Sequence, residues 1–437
     1  MRILYVLGGY GGEHLGGSIH RELAQRILAA GHQLEIFAPA HARHMGNRAE
    51  EVVEEGVRVH RAVCAGRPHL DVVNLLARPV FHFPWFLTSL LALRRVLRKS
   101  RSADVVMVES AYPFGAQVDI ATRGLRMPFV IAVLGGDFIA NDAANYGYGR
   151  YAIARTLMRR AFHRAAAVRA VSPYAARRAE ALGCAPGKIA VVQRNIARGC
   201  FTPEGVELAA FRAAARQRVA QRFGVEAPRL VVAVGRLVPI KGFDHLLRAL
   251  PKVIAALGET QLLLVGPNRR ESQLGDYRRH LERLAATLGV AEGVVFTGAL
   301  PHEGVRDALA AADVVAVPSV EEGGSKMVME AGAVGTPVVS TASTGTVEWA
   351  KAWRCAVVVE PSNPESLAHG LLEVLGDPSR AASMSLRGPP FAQRFRPEPV
   401  AERILALCQV AARGGSLPPG LREPRELLHP EDGPAEG

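Results

Sequence analysis

Short runs of consecutive apolar residues alternate along the chain with stretches whose apolar positions fall three and four apart. Arg2–Leu7, Leu34–Phe37, Val105–Val108, Phe129–Leu134 and Ala167–Ser172 read as buried strands in the first half. Leu230–Val234, Leu262–Gly266, Val294–Gly298, Val315–Val317, Val338–Ser340 and Val357–Val359 repeat the rhythm in the second. Strands that are apolar on both faces, and separated by helical stretches, predict parallel sheets covered on both sides. The opening sets the pattern. A strand, the glycine loop Gly8–Gly17, a helix Ser18–Ala30 closed by Gly31 and a second strand begin a doubly wound α/β sheet. The loop glycines are out of G-x-G-x-x-G register, so a bound dinucleotide is not expected.

Two strand ends in the second half carry candidate chemistry. Val317–Pro337 holds Glu322 and Glu330 with seven residues between them. Gly323, Gly324 and Ser325 lie where the strand hands over to a helix predicted over Lys326–Ala333. The first turn of such a helix offers N–H groups and the positive end of its dipole to an anion. Carboxylates suit sugar hydroxyls and amides suit phosphate, so the combination describes a nucleotide-sugar site. Further upstream, Leu230–Val234 runs into Gly235-Arg236-Leu237-Val238-Pro239-Ile240-Lys241-Gly242. That places two cations at the carboxyl edge of a sheet, where ligands bind in open α/β folds.

The Val317–Pro337 stretch resembles the E-x7-E signature of the retaining glycosyltransferases of family four, written PS-x-x-E-G-F-G-x-x-x-x-E-A-M-A-x-G-x-P-V-V. Pro318-Ser319, Glu322-Gly323, Glu330-Ala331, Ala333, Gly335 and Pro337-Val338-Val339 are in register. Gly324-Ser325 replaces the commoner Phe-Gly, and Gly332 replaces Met. Gly235–Gly242 is similar to the family's G-R-L-x-x-x-K-G. Val191–Pro203 is similar to its V-x-x-N-G-V-D-x-x-x-F-x-P through Asn195, Phe201 and Pro203. The resemblance covers residues 1–412 and implies the GT-B fold, two Rossmann-like doubly wound domains facing a cleft. The expected divisions are an acceptor-binding domain over 1–198, a nucleotide-sugar-binding domain over 199–395, and a helix over 396–413 that crosses back to the first. Residues 414–437 are rich in Pro, Gly and Glu and are expected to be disordered.

The resemblance further implies transfer of a sugar from a nucleoside-diphosphate sugar, with retention of anomeric configuration, in cell-envelope polysaccharide or glycolipid synthesis. The acceptor would be a sugar, a lipid-linked sugar or another small molecule. Arg236, Lys241 and Glu322 are the expected catalytic residues. These three, with Gly16, Gly17, Gly323, Gly324, Ser325 and Glu330, are the expected donor contacts, with Glu330 on the ribose and Glu322 facing the sugar. On the acceptor side the family's H-G-x-D is reduced to Gly135-Gly136-Asp137, and His14 of the glycine loop is the candidate substitute for the missing histidine. The chain has no D-x-D motif, so no metal or other cofactor is expected. Arg236, Lys241 and the helix N-terminus would meet the charge of the leaving diphosphate instead. Two alternatives stay open: a non-catalytic nucleotide-sugar-binding protein, and an epimerase or phosphorylase of the same fold.

The 437 residues suffice for two ordinary domains, and 49% hydrophobic with 22% charged residues is a globular composition. A net charge of +12 suits phosphorylated small molecules, anionic lipid and nucleic acid alike. Nucleic acid is not expected as a partner, because no recognised binding motif or aromatic-interleaved basic run is present. Five cysteines without C-x-x-C pairing read as reduced thiols. The Met1–Leu7 start reads as a strand rather than a leader core, and a cytoplasmic location is expected.

Pro79–Arg101 couples Phe81, Phe83, Trp85 and Phe86 to a basic end with Arg94, Arg95, Arg98, Lys99 and Arg101. This pattern fits a peripheral helix resting on anionic lipid, and equally an amphipathic helix on the sheet with a solvated end. The basic helix at 150–164, with Arg155, Arg159, Arg160 and Arg164, fits an acidic acceptor or a solvated face.

Overall fold

The computed structural model describes residues 1–10, 17–42, 45, 51–100, 102–268, 276–422 and 427. The chain divides into two compact units. The first comprises Met1–Ala140, Tyr146–Asn195 and Pro397–Pro424, and the second Asn141–Asn145, Ile196–Arg396 and Arg425–Gly437. The main passage between them, Asn195–Ile196, falls inside the Val191–Pro203 stretch, slightly ahead of residue 198.

In the first unit the strands are β1 (Arg2–Val6), β2 (Gln33–His41), β3 (Glu51–Glu54), β4 (Val57–Ala65), β5 (Val105–Glu109), β6 (Phe129–Val133), β7 (Ala167–Ala170) and β8 (Ile189–Val191). They form one sheet in the order β3-β4-β2-β1-β5-β6-β7-β8, parallel apart from the β3–β4 hairpin. That hairpin lies between the predicted strands Leu34–Phe37 and Val105–Val108, where no strand is predicted. Its cause is local. Glu54 pairs with Val57, so Glu55 and Gly56 alone make the turn, both at positive φ (50° and 83°), the backbone of a type I′ hairpin.

The helix Pro397–Arg413 belongs to this unit. Its Val400, Ile404 and Cys408 are one helical turn apart, and they pack with Leu23 and Ile27 of the helix Gly17–Ala29 against Tyr5, Ile36 and Met107. Arg26 and Glu398 close the contact at 2.7 Å. The expectation of disorder from residue 414 is corrected over 414–422. Leu417 and Leu421 are buried in the same core, a short helix spans Pro419–Arg422, and Arg403 donates to the Gly420 carbonyl at 2.9 Å. Two leucines placed four apart bury enough surface to hold a segment whose average composition is polar.

The second unit carries β9 (Arg229–Val234), β10 (Thr260–Val265), β11 (Val294–Gly298), β12 (Val314–Val317), β13 (Val338–Thr341) and β14 (Ala356–Val359). Their order is β11-β10-β9-β12-β13-β14, and all pairs are parallel. The chain steps outward from β9 to β10 and β11, then crosses back to β12. β9 and β12 therefore flank the topological switch point, and a crevice opens beyond their carboxyl ends. In the first unit the same reasoning selects β1 and β5.

Candidate functional site

Both loops flanking the switch point of the second unit carry residues expected there. Beyond β9 the chain passes through Gly235 and the half-buried Arg236 to Leu237, which bridges to Asn268, and then makes a 3-10 turn over Pro239–Lys241. Gly242 ends the turn at φ 65° and touches the other loop. A Cβ at this position would lie 2.1 Å from the Pro318 carbonyl oxygen. The Val320 N–H also donates to the Ile240 carbonyl at 2.9 Å. Fastened together in this way, the loops bring Lys241 Nζ to 2.9 Å from Glu322 Oε1. The Ser319 hydroxyl donates to the other oxygen, Oε2, at 2.9 Å.

The backbone of Glu322 is fixed on both sides. Its N–H donates to Ser343 at 3.1 Å, and its carbonyl accepts from the Gly345 N–H at 3.0 Å. These partners belong to Ser340–Thr346, a hydroxyl-rich run that starts in the last two residues of β13 and continues past it, outside the motifs. Thr341 and Ser343 donate to the Ser319 carbonyl at 2.6 and 3.1 Å. The available signal was composition: five hydroxyl side chains in seven residues, running out of the end of a buried strand.

Gly323 is buried and Gly324 half-buried at the entry to the helix Lys326–Ala333. The amide of Ser325, expected as a phosphate donor, instead donates to Thr346 Oγ1 at 2.9 Å. The N–H groups of the helix's own first turn, Lys326 to Val328, have no acceptor one turn back. The Ser325 hydroxyl is fully buried and makes no hydrogen bond among the described residues. Glu330 is 5% exposed. Burial pushes its carboxyl above the usual range, opposed by the Lys326 ammonium one turn back and by a hydrogen bond with Cys200.

In the first unit, Gly17 opens the helix that follows the glycine loop, while His14 and Gly16 lie outside the described residues. Asp137 is buried. One carboxylate oxygen accepts from Gly135 N–H at 2.8 Å, the other from Ala111 N–H at 2.8 Å, and Leu134 N–H reaches both at 3.3 Å. It ties the end of β6 to the end of β5. Burial raises its carboxyl above the usual range, against those backbone donors.

Three residues that the motifs pass over form a buried network in this unit. Tyr5 donates its hydroxyl to Glu109 Oε1, which Arg169 Nη1 approaches at 3.0 Å, and Arg169 also donates to the carbonyls of Val192 and Gln193. Burial by itself would raise the Glu109 carboxyl. Arg169, His20, Arg194 and the Tyr5 hydroxyl together hold it below the usual range. The signal in the sequence is a charge inside an apolar strand: Glu109 ends Val-Val-Met-Val-Glu, and Arg169 interrupts Ala-Val-Arg-Ala. The 150–164 arginines are not simply a solvated face. Arg155 donates to the Gly149 and Arg150 carbonyls, and Arg164 and Arg160 lie 2.6 and 3.6 Å from the buried Asp119.

Two Rossmann-like units, the second with the Lys241–Glu322 pair at its switch point, are the architecture of the GT-B class. The family described as Glycosyl transferase 4-like domain matches residues 16–195, and that described as Glycosyl transferases group 1 matches residues 216–389. The chain belongs to the GT-B glycosyltransferases of family four. A GDP-mannose-dependent alpha-(1-6)-phosphatidylinositol monomannoside mannosyltransferase of Mycolicibacterium smegmatis is 34% identical over 251 residues, 55% of this chain and 61% of that protein. A D-inositol 3-phosphate glycosyltransferase of Segniliparus rotundus is 36% identical over 219 residues, 50% of this chain and 48% of that one. The chain thus spans about half to three fifths of the length of these curated relatives.

Among solved structures, sucrose-phosphate synthase from Thermosynechococcus elongatus superposes with a TM-score of 0.71 at 20% identity, covering 93% of this chain and 98% of that one. HepE from Anabaena, in complex with UDP, gives 0.67 at 18% identity, with coverages of 93% and 98%. Likeness at this level of identity speaks to the fold.

Proposed function

We propose that this protein transfers a glycosyl group from a nucleoside-diphosphate sugar to a lipid-linked acceptor, with retention of configuration and without a metal ion. The observation that carries the reading is the Lys241–Glu322 pair at the carboxyl ends of β9 and β12. Departure of a nucleoside diphosphate builds negative charge on its leaving oxygen. Lys241, Arg236 and the first-turn amides of Lys326–Ala333 supply fixed positive charge to meet it. Positive charge that develops on the sugar ring is met by the Glu322 carboxylate.

Both oxygens of Glu322 are engaged, by Lys241 and by Ser319, which suits holding the sugar better than attacking it. In the proposed step the acceptor oxygen bonds to the anomeric carbon on the face the phosphate leaves. The acceptor proton passes to the departing phosphate oxygen, and no side chain acts as a strong base. The buried Ser325 hydroxyl, without a partner among the described residues, adds a donor beside the helix N-terminus.

The two relatives are named for phosphatidylinositol monomannoside and for D-inositol 3-phosphate, so a phosphorylated polyol head group is the proposed acceptor class, and GDP-mannose the first donor to try. The proposed location is the cytoplasmic side of a membrane. The test is transfer from GDP-, UDP- and ADP-sugars in EDTA, with the anomeric configuration of the product read by NMR coupling. A product of inverted configuration, or turnover that EDTA abolishes, contradicts the reading.

A further inference from the structure

The helix Pro68–Phe81 turns its apolar side outward. Its buried positions are Asn74 and Ala77, and Asn74 spends its amide on the Cys64 carbonyl and the Thr88 hydroxyl, both at 2.8 Å. Val72, Leu75, Leu76 and Val80 are 58, 71, 73 and 54% exposed. Their spacing, with the exposed Pro79 between, is i, i+3, i+4, i+7 and i+8, so they form one stripe along the helix. Five of the nine exposed large hydrophobic residues among those described lie on this helix, counting Val73 at the edge of the stripe. Single exposed leucines need no explanation, but a continuous apolar stripe marks a surface that is covered in use.

The rings that the sequence offers for a membrane are occupied elsewhere. After Phe81 the chain bends by 108° into the helix Phe86–Lys99. Phe81 stacks on Phe86 at 4.2 Å, His82 on Tyr151 at 3.7 Å, and Phe83 meets Phe114 and Tyr148 edge-on. The second helix sinks Phe86, Leu93, Val96 and Leu97 into the unit, so the bent pair is not free to cross a bilayer. Among the described residues no single helix is long and apolar enough to do so.

Charge selects the occupant. The two helices carry Arg78, Arg94, Arg95, Arg98 and Lys99 against one acid, Asp71, whose carboxylate already accepts the Gly66 N–H at 2.8 Å. All five cations are exposed. A second copy of the chain docked here about a two-fold axis would set these cations against their equals. An anionic bilayer complements both features, with acyl chains for the stripe and phosphates for the arginines.

We propose that Pro68–Phe81 lies in the interface of an anionic membrane with Val72, Leu75, Leu76 and Val80 inserted. The aromatic elbow then holds this anchor beside the carboxyl end of β5, the switch point of the first unit. The inference goes beyond the donor chemistry and does not depend on it.

The test is co-sedimentation of the full chain with phosphatidylcholine vesicles, with and without phosphatidylglycerol. Binding is expected only with the anionic lipid and should weaken with salt. Leu75→Asp with Leu76→Asp should weaken it at least about ten-fold. Arg94→Glu, Arg95→Glu and Arg98→Glu together should weaken it at least about a hundred-fold. Nucleotide-dependent thermal shifts should persist in both variants, showing a folded protein with its donor site intact. Failure of the wild type to sediment with anionic vesicles overturns the proposal, as does wild-type binding by the Leu75/Leu76 variant. So does concentration-dependent self-association that Leu76→Asp abolishes while vesicle binding stays unchanged.

Discussion

Lys241 Nζ stands 2.9 Å from Glu322 Oε1, joining two loops that rise from adjacent strands although β10, β11 and their helices lie between them in sequence. Both side chains are 19% exposed, so the pair is partly solvated and contributes at most about 1 kcal/mol to stability. As a fixed cation facing a leaving diphosphate, the same lysine is worth about 3 kcal/mol of transition-state stabilisation. Lys241→Ala should therefore lower turnover by about a hundred-fold or more while leaving the unfolding midpoint almost unmoved. Parallel assays of activity and urea unfolding check the contrast. An equal fall in both would make the pair structural.

Gly242→Ala should lower stability and activity together. The native φ of 65° and the Pro318 carbonyl 2.1 Å from an added Cβ leave no room for a methyl group, and the neighbour is backbone. The loops must part, at an expected cost of about 2 kcal/mol or more in denaturant stability, with activity lost as well.

Glu330→Gln separates stability from affinity. Burial raises the Glu330 carboxyl above its ordinary value of 4.5, so the folded protein binds more protons than the unfolded chain above pH 4.5. Stability then falls as pH rises from 4.5 through the folded value, and this slope is absent in the glutamine variant. Near neutral pH the donor-free variant should be as stable as the wild type or more so, yet bind nucleotide more weakly. Urea midpoints across pH, beside nucleotide titrations, measure both.

Arg169→Met should destabilise the first unit by about 3–5 kcal/mol, because it leaves Glu109 buried without its cation. Adding Glu109→Gln should recover part of that loss. The Glu109 carboxyl is held below 4.5, so its favourable contribution is present above that pH and is lost as pH falls through the folded value. The wild type should show this acid sensitivity and the double variant should not, as read by unfolding between neutral and acidic pH.

The second unit was legible because its chemistry sits on short motifs at strand ends, where Gly235–Gly242 and Pro318–Glu330 each carry their own spacing. What joins them was not. The hydroxyls of Ser340–Thr346 act by reaching across from β13, a relation between strands that local sequence does not encode. Ser325 was placed correctly at the helix start, but its amide is taken by Thr346, a partner visible only in three dimensions. In the first unit, Asp137 matched a motif and turned out to have its oxygens filled by backbone amides. The apolar stripe of Pro68–Phe81 escaped because a helix with leucines at helical spacing normally turns them inward. The buried Asn74 and the exposed Leu75 and Leu76 show that this one is reversed.

The measurement that bears most directly on the donor site is thermal unfolding with GDP, UDP, ADP and their sugar conjugates, in EDTA, for the wild type and Lys241→Ala. Ligand at one hundred times its Kd stabilises the folded state by about 2.7 kcal/mol, so even a weak donor registers. The account predicts a rise in Tm with one nucleotide base, undiminished by EDTA and lost in Lys241→Ala. No rise with any nucleotide, or the same rise in the variant, would contradict it.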